Sequence, residues 1–168
     1  MKIKVARPER RKVVRRVGEG RLERHEGTLG ALHVVHVCGD PEEMGAQYGA
    51  LVGDETRRIA ELLVGLFAGT GLPEALVHHL LDACWEHLAP HVPDRFLAEM
   101  RAIETGAKKS GIDLAFDDVK RILVMTNLDM YKRDERIPEI LGIPPEELAA
   151  ALGEARPACT MFAVWGSR

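Results

Sequence analysis

The sequence has few of the residues from which disulfide frameworks, zinc ribbons and membrane spans are built. Only three cysteines occur in 168 residues, namely Cys38, Cys84 and Cys159, and none belongs to a C-x-x-C pair. This usage predicts neither a disulfide framework nor a zinc ribbon. No apolar run approaches the roughly 18 residues that span a bilayer, and no signal-peptide core follows the basic start. We therefore expect a cytoplasmic protein with no membrane partner.

Motifs for cofactors, nucleotides and metals are also lacking. The sequence contains no P-loop, no G-x-G-x-x-G turn and no G-x-S-x-G elbow. Four histidines lie within residues 78–91, but no H-E-x-x-H pattern occurs among them. Pro90 interrupts the turn that would align His87 with His91. We expect neither a metal site nor a bound cofactor.

Composition indicates one globular domain with an uneven charge distribution. Apolar residues make up 46% and charged residues 29% of the chain, whose formal net charge is -3. Nevertheless, eight Lys and Arg residues occur within residues 1–16. Such a basic arm could bind anionic lipid, or nucleic acid in a salt-sensitive manner. A solvated, poorly ordered terminus is the commoner case, so we expect no nucleic-acid partner.

The first part of the chain has strand character and then changes abruptly to helix. Residues 13–38 combine turn signals with a β-branched run and predict one or two strands. A helix is predicted to begin at Pro41, in the first helical position, with Asp40 as its N-cap. Glu43 completes a capping box.

Residues 39–155 are predicted to be mainly helical, with four to six helices. Gly45, Gly49 and Gly53 repeat every four residues and form one row along the first helix. Because each glycine costs up to about 1 kcal/mol in a helix interior, we expect another backbone to pack closely against this row. Further apolar-periodic segments span residues 55–67, 76–88, 93–109, 117–131 and 145–152. The third of these is predicted to turn Phe96, Leu97, Met100 and Ile103 inward and to stop at Ser110-Gly111.

The end of the sequence predicts one more strand. Residues 159–165 form an unbroken apolar run between Pro157 and Gly166, which is typical of a strand buried on both faces. An unpaired apolar edge is a liability, so this strand either pairs with an earlier segment or begins a larger sheet. We expect residues 1–168 to form a single incomplete domain. Its parts are a basic arm with entry strands (1–38), a helical region (39–155) and the first strand of a missing sandwich (159–165).

Cys159 would acquire reactivity if the bond between Ala158 and Cys159 were cleaved. The cysteine would then carry a thiol and a free α-amine on one residue. An α-amine has a pKa near 7.7 to 8.0, so at neutral pH a fraction of it can accept the thiol proton. Nucleophile and base would come from one residue. On spacing alone, an inert buried cysteine is the simpler interpretation.

Two segments resemble a known family. Gly39-Asp-Pro-Glu-Glu-Met-Gly-Ala-Gln-Tyr-Gly49 resembles the G-x-P-x-E-x-G-x-Q-x-G segment of acyl-coenzyme A:6-aminopenicillanate acyltransferase-like proteins. Cys159-Thr-Met-Phe-Ala-Val-Trp-Gly166 resembles the start of the mature β-chain in that family. The family consists of N-terminal-nucleophile hydrolases related to penicillin V acylase and bile-salt hydrolase. They are made as inactive precursors that cleave themselves just before the cysteine.

The resemblance implies roles for two residues and a partner for the chain. Cys159 would be the nucleophile, its α-amine the general base after cleavage, and Ala158–Cys159 the processed bond. The substrate would be a small acyl compound or amide. In the family, most of the αββα sandwich follows the cysteine. We therefore expect an α+β N-terminal portion that is inactive until the C-terminal portion of the same precursor is supplied.

A different class of function stays open. The chain could be a non-enzymatic helical interaction module in which Cys159 only fills space. The sequence leaves the acyl group, the acceptor and the oligomeric state open.

Overall fold

The structure, a computed structural model, describes residues 10–27, 30–68 and 73–126, together with isolated positions between 138 and 149. Three strands come first and α-helices follow, which is an α+β arrangement, as predicted. The strands are β1 (Arg10–Val17), β2 (Gly20–Gly27) and β3 (Gly30–His36). The helices are α1 (Pro41–Ala68), α2 (Glu74–Leu88), α3 (Asp94–Lys109) and α4 (Phe116–Thr126), with a 3₁₀ turn at Ala89–His91.

The strands form an antiparallel sheet in the order β1-β2-β3. The prediction of one or two strands was wrong, and so was the expectation that residues 10–16 are a poorly ordered arm. These residues belong to β1, which pairs with β2 along its whole length around an irregularity between Val13 and Arg15. Backbone pairing tolerates their charged side chains because seven of the eight residues of β1 are exposed. Gly18, with a φ of 55°, turns the chain between β1 and β2.

One end of the sheet packs against α1. Leu22 of β2 is 2% exposed and lies in a buried cluster with Leu51 and Val52 of α1. Helix α1 is kinked there, since Val52 has φ -137° and ψ 20°. The kink coincides with a contact from the sheet, because Arg15 donates a hydrogen bond of 2.7 Å to the Leu51 carbonyl. Residues 41–68 thus comprise two helical segments that meet at the non-helical residue Val52.

The glycine row of α1 lies directly against α3. A Cβ atom on Gly45 would overlap the carbonyl oxygen of Glu99, and one on Gly49 would overlap that of Ile103. Gly53, the third member, would meet only side-chain atoms. The prediction that a second backbone packs on this row is confirmed at its first two positions. The close approach provides the packing that offsets the helix-breaking tendency of glycine.

The helices enclose two further apolar clusters. The stripe predicted for α2 is buried against α1 and α4, and the second cluster joins α3 to the segment before α4 and to α4 itself. The first contains Val64, Val77, Leu80, Leu81, Cys84, Val124 and Met125, and the second contains Met100, Ala107, Ile112, Leu114 and Val119. The inward placement of Phe96 was wrong, since its side chain is 46% exposed. The face of α3 that meets α1 is formed by the small residues Ala102, Gly106 and Ala107, which permit the close approach.

Both predicted helix boundaries are confirmed by their hydrogen bonds. At the start of α1, the Glu43 amide donates to Asp40 Oδ1 at 2.8 Å, and the Asp40 amide donates to Glu43 Oε2 at 3.1 Å. At the end of α3, Gly111 adopts a φ of 74°. The amide of Ile112 donates to the Ala107 carbonyl at 3.0 Å, which completes a Schellman motif.

Several predicted features lie outside the described residues. These are the strand at 159–165, the extension of the fourth helix to 131 and most of the segment 145–152. Within the described ranges, no helix combines the length and the apolar character that crossing a membrane requires.

Candidate functional site

The residues with predicted catalytic roles, Ala158 and Cys159, lie outside the part of the chain that the structure describes. The other segment of the family resemblance, Gly39–Gly49, lies within it. Its geometry therefore defines what that motif contributes.

Gln47 links this motif to β2 and to the segment that follows β3. Its Nε2 donates to the Cys38 carbonyl at 2.9 Å, and its Oε1 accepts from the Cys38 amide at 3.1 Å. The same side chain covers Gly20, where a Cβ atom would come within 2.8 Å of Gln47 Oε1. Gln47 thus fastens α1 to the end of β3 and to the start of β2.

The remaining fixed positions of the motif also have packing or capping roles. Gly39 has a φ of 114°, and the Glu43 side chain occupies the space that a Cβ atom on Gly39 would need. Pro41 begins the helix, while Gly45 and Gly49 admit α3. The motif therefore joins the sheet to α1 and α1 to α3.

The two cysteines within the described residues are poorly suited to nucleophilic attack. Burial raises the pKa of Cys84 to about 11. Cys38 is exposed, but its thiol donates a hydrogen bond of 3.4 Å to Glu19, and this interaction raises its pKa. Both groups therefore hold their protons at neutral pH, where only the thiolate is an effective nucleophile.

A cluster of ionisable side chains on the sheet was not predicted. Arg21, Glu23 and His25 alternate along β2 and point away from α1, because Leu22 between them faces the helix. Glu23 accepts hydrogen bonds of 2.7 Å from both Arg21 Nε and His25 Nε2. His36 of β3 approaches the same carboxylate, with 3.4 Å between His36 Nε2 and Glu23 Oε2. The only sequence signal for this cluster was the alternating R-x-E-x-H pattern.

These contacts fix the charge of Glu23. The hydrogen bond from His25, followed by that from Arg21, lowers its pKa from 4.5 to about 2. The Arg21 guanidinium also lies 3.4 Å from His36 Nδ1. His36 Nε2 is buried without a well-formed hydrogen bond, despite its proximity to Glu23.

The Glu23 cluster does not have the form of a metal centre. The Nε2 atoms of His25 and His36 both approach Oε2 of Glu23. Metal ligands would instead surround a common point that the ion could occupy. Among the described residues, no three His, Cys, Asp or Glu side chains are arranged to hold a metal ion. The helical histidines do not converge either: His78 lies 3.5 Å from Glu74 on its own helix, and His79 and His87 are exposed.

Comparison with known proteins gives one partial match. An uncharacterized protein of Archaeoglobus fulgidus is 37% identical over 91 residues, a segment that is 52% of this chain and 15% of that protein. The chain thus corresponds to a small part of this relative's length. No family model matches the chain. No solved structure gives a significant match.

Proposed function

We propose that this chain is the N-terminal portion of an autoproteolytically activated N-terminal-cysteine hydrolase or acyltransferase that acts on amide bonds. The observation that carries the proposal is the order of two segments, the Gly39–Gly49 motif and the run that begins at Cys159. Each resembles the corresponding segment of one enzyme family, and a helical region separates them, as in that family. The matched relative carries no described activity, so the proposal rests on these residues.

Activation would begin with attack of the Cys159 thiol on the Ala158 carbonyl. The acyl group shifts from nitrogen to sulfur, which breaks the peptide bond, forms a thioester and frees the α-amine of Cys159. Water then hydrolyses the thioester, leaving a carboxylate on Ala158 and a free thiol on Cys159. The products are two chains, the second of which begins with the nucleophile.

Turnover would use the same atoms. The α-amine accepts the thiol proton, and the resulting thiolate attacks the substrate amide carbonyl. The proton passes to the departing amine, and the acyl group remains on Cys159 as a thioester. Attack by water completes a hydrolysis, and attack by an amine completes an acyl transfer.

The described residues support this proposal in two ways. The Gly39–Gly49 motif builds a firm junction between the sheet and the first helices, as expected of a precursor's helical region. In addition, Cys38 and Cys84 both have raised pKa values, so neither competes as an obvious nucleophile.

A pair of cysteine variants tests the proposal in the complete protein. Cys159→Ser is expected to stop or greatly slow both processing and hydrolysis of a panel of N-acyl amides. Cys38→Ser is the matched control and is expected to retain both, because Cys38 is exposed and remote in sequence from the proposed cleavage site. If the Cys159→Ser protein processed and turned over normally, the chain would instead be best described as a non-enzymatic helical module.

A further inference from the structure

The sheet concentrates positive charge in a chain that is acidic overall. Residues 10–36 contain seven Arg and Lys residues against three Glu, whereas the whole chain has a net charge of -3. Five of the seven lie on β1, which is an edge strand of the sheet. The concentration is therefore a feature of an ordered element.

The cations of β1 project from both faces of the sheet. Strand alternation and the observed register place Arg10 and Lys12 on the face that carries Leu22, the α1 side. Arg11 and Arg16 lie on the opposite face, which carries the Glu23 cluster. The edge of the sheet is consequently flanked by positive charge on two sides.

The register also places like charges directly opposite one another. Lys12 pairs with Arg24, and Arg16 pairs with Arg21. Like charges in such positions destabilise an antiparallel pair. The two arginines of β2 have acidic partners that offset this repulsion: Glu26 lies 3.2 Å from Arg24, and Glu23 lies 2.7 Å from Arg21.

Three of the four cations of β1 that project from the two faces have no acidic residue opposite them on β2, whereas Arg10 lies opposite Glu26. Arg10, Arg11, Lys12 and Arg16 are exposed and form no ion pair with any residue that the structure describes. Arg15 is different, since it is bonded to the Leu51 carbonyl.

Helix α1 does not reach the other end of the sheet, and no other described helix packs there. Helix α1 covers the sheet where Leu22 lies. Beyond the helix is a shallow depression, whose polar lining consists of Arg10, Arg11, Lys12, Arg24, His33 and one carboxylate, that of Glu26. Arg24 is the cross-strand partner of Lys12 on β1 and of His33 on β3, so three basic residues are neighbours across the sheet. An anion in this depression would relieve the repulsion between Lys12 and Arg24.

Protection of an edge strand explains only part of this pattern. A few charges on the edge suffice to prevent pairing with another sheet. They would not require further cations opposite them on β2. The arrangement resembles a surface built to receive an anionic partner.

We propose that the β1–β2 edge binds duplex DNA through its phosphates, without sequence specificity. The major groove of B-DNA, which is about 12 Å wide and is bordered by phosphates on both sides, admits two β-strands side by side. In the three-stranded sheet, β1 and β2 are the two strands at one edge. Cations on both faces of the sheet edge match that geometry, whereas a membrane surface would engage one face. Residues 10–36 include no Phe, Trp or Tyr, so the stacking platform typical of single-strand binders is missing from the sheet. This inference is independent of the proposed catalytic function.

The test measures binding of the complete protein to a fluorescein-labelled 20-base-pair DNA by fluorescence anisotropy over a range of NaCl concentrations. Affinity is expected to fall linearly with salt on a double-logarithmic plot. Arg11→Gln/Lys12→Gln removes one cation from each face and is expected to reduce the slope by about 2, with weaker binding at every salt concentration. The matched control, Arg57→Gln/Arg58→Gln in α1, removes the same net charge and is expected to leave the slope unchanged.

Several results would overturn the proposal. These are no binding at 50 mM NaCl, equal losses in the two double variants, or tighter binding to single-stranded than to duplex DNA. Binding to phosphatidylserine vesicles without binding to DNA would assign the surface to membranes and would also overturn it. Circular dichroism of both variants checks that they are folded, and a folded Arg11→Gln/Lys12→Gln protein with unchanged binding rules the site out.

Discussion

Gln47 and Cys38 are joined by a pair of hydrogen bonds in which one side-chain amide satisfies both backbone groups of one residue. The bonds measure 2.9 Å to the Cys38 carbonyl and 3.1 Å from the Cys38 amide. They close the connection between β3 and α1. The junction therefore depends on two specific hydrogen bonds, and their contribution to the free energy of unfolding can be measured.

Gln47→Ala removes both bonds and is expected to lower the free energy of unfolding by about 1–3 kcal/mol. Urea denaturation monitored by circular dichroism provides the measurement. His79→Ala, at an exposed position of α2, is the control and is expected to stay close to wild type. Equal stability of the Gln47→Ala and wild-type proteins would show that the junction is held by other contacts.

Gly106→Ala tests the contact between α1 and α3. A Cβ atom at this position would overlap the carbonyl oxygen of Ala46, and backbone on both sides leaves little room for adjustment. The substitution is expected to destabilise the protein by about 3 kcal/mol, at the upper end of overpacking effects. Thermal denaturation is the measurement.

Gly65→Ala is the matched control for this prediction. Gly65 lies in α1, and a Cβ atom there would meet no atom of the described residues within 4 Å. This variant is expected to be as stable as wild type or more stable, by up to about 1 kcal/mol. If both alanine variants behaved alike, helix propensity rather than close packing would govern the glycines.

Glu23 makes the stability of the sheet dependent on pH. Its pKa is about 2 in the folded protein, lower than its ordinary value of 4.5. The folded state thus favours the carboxylate, so the stabilisation is present above about pH 4.5 and is lost as the pH falls toward 2. The difference in stability between wild type and Glu23→Gln is expected to shrink across that range.

Denaturant titrations at a series of pH values measure this difference. Glu26→Gln is the control, because Glu26 pairs with Arg24 while both side chains are about half exposed. Its effect at neutral pH is expected to be small, as is usual for exposed ion pairs. A difference between wild type and Glu23→Gln that stays constant from pH 6 to pH 2.5 would contradict the role assigned to Glu23.

The hydrogen bond between Cys38 and Glu19 predicts a slowly reacting thiol. Because the Glu19 carboxylate accepts a hydrogen bond from the thiol and raises its pKa, Glu19→Gln is expected to accelerate alkylation of Cys38 by iodoacetamide at pH 7.5. Peptide mass spectrometry follows each cysteine separately. Cys84 is the internal control, since its burial is unaffected. An unchanged or slower rate at Cys38 would show that Glu19 does not hold the proton on sulfur.

Local signals in the sequence predicted the helical part of the fold well. The capping box of Asp40 and Glu43 is a short-range hydrogen-bond pattern that residue types specify directly. The row containing Gly45 and Gly49 predicted a packing partner, because glycine destabilises a helix interior and a close contact must offset that cost. In both cases the information lies within one helical segment.

The sheet was harder to predict because cross-strand pairing determines it. Strand β2 has one deeply buried large apolar residue, Leu22, and charged residues stand at most other positions. Strand β1 is basic and exposed. The Glu23 cluster, in turn, requires His36 from another strand, and sequence spacing alone gives no register between strands.

The error at Phe96 has a related cause. Apolar periodicity assigns the large side chain to the inside, but α3 turns its small residues toward α1. The close backbone contact therefore places the small residues of α3, and not the large apolar residue Phe96, on the face that meets α1. The identity of the partner helix, which the sequence did not specify, decides the inward face.

The most direct test of the proposed function is to determine the masses and N-terminal sequences of the complete protein after purification. The account predicts two chains, one ending at Ala158 and the other beginning Cys-Thr-Met-Phe from Cys159. It also predicts one uncleaved chain for Cys159→Ser. A wild-type protein that remains a single chain, or one cleaved at any other bond, would contradict the assignment of Cys159 as an N-terminal nucleophile.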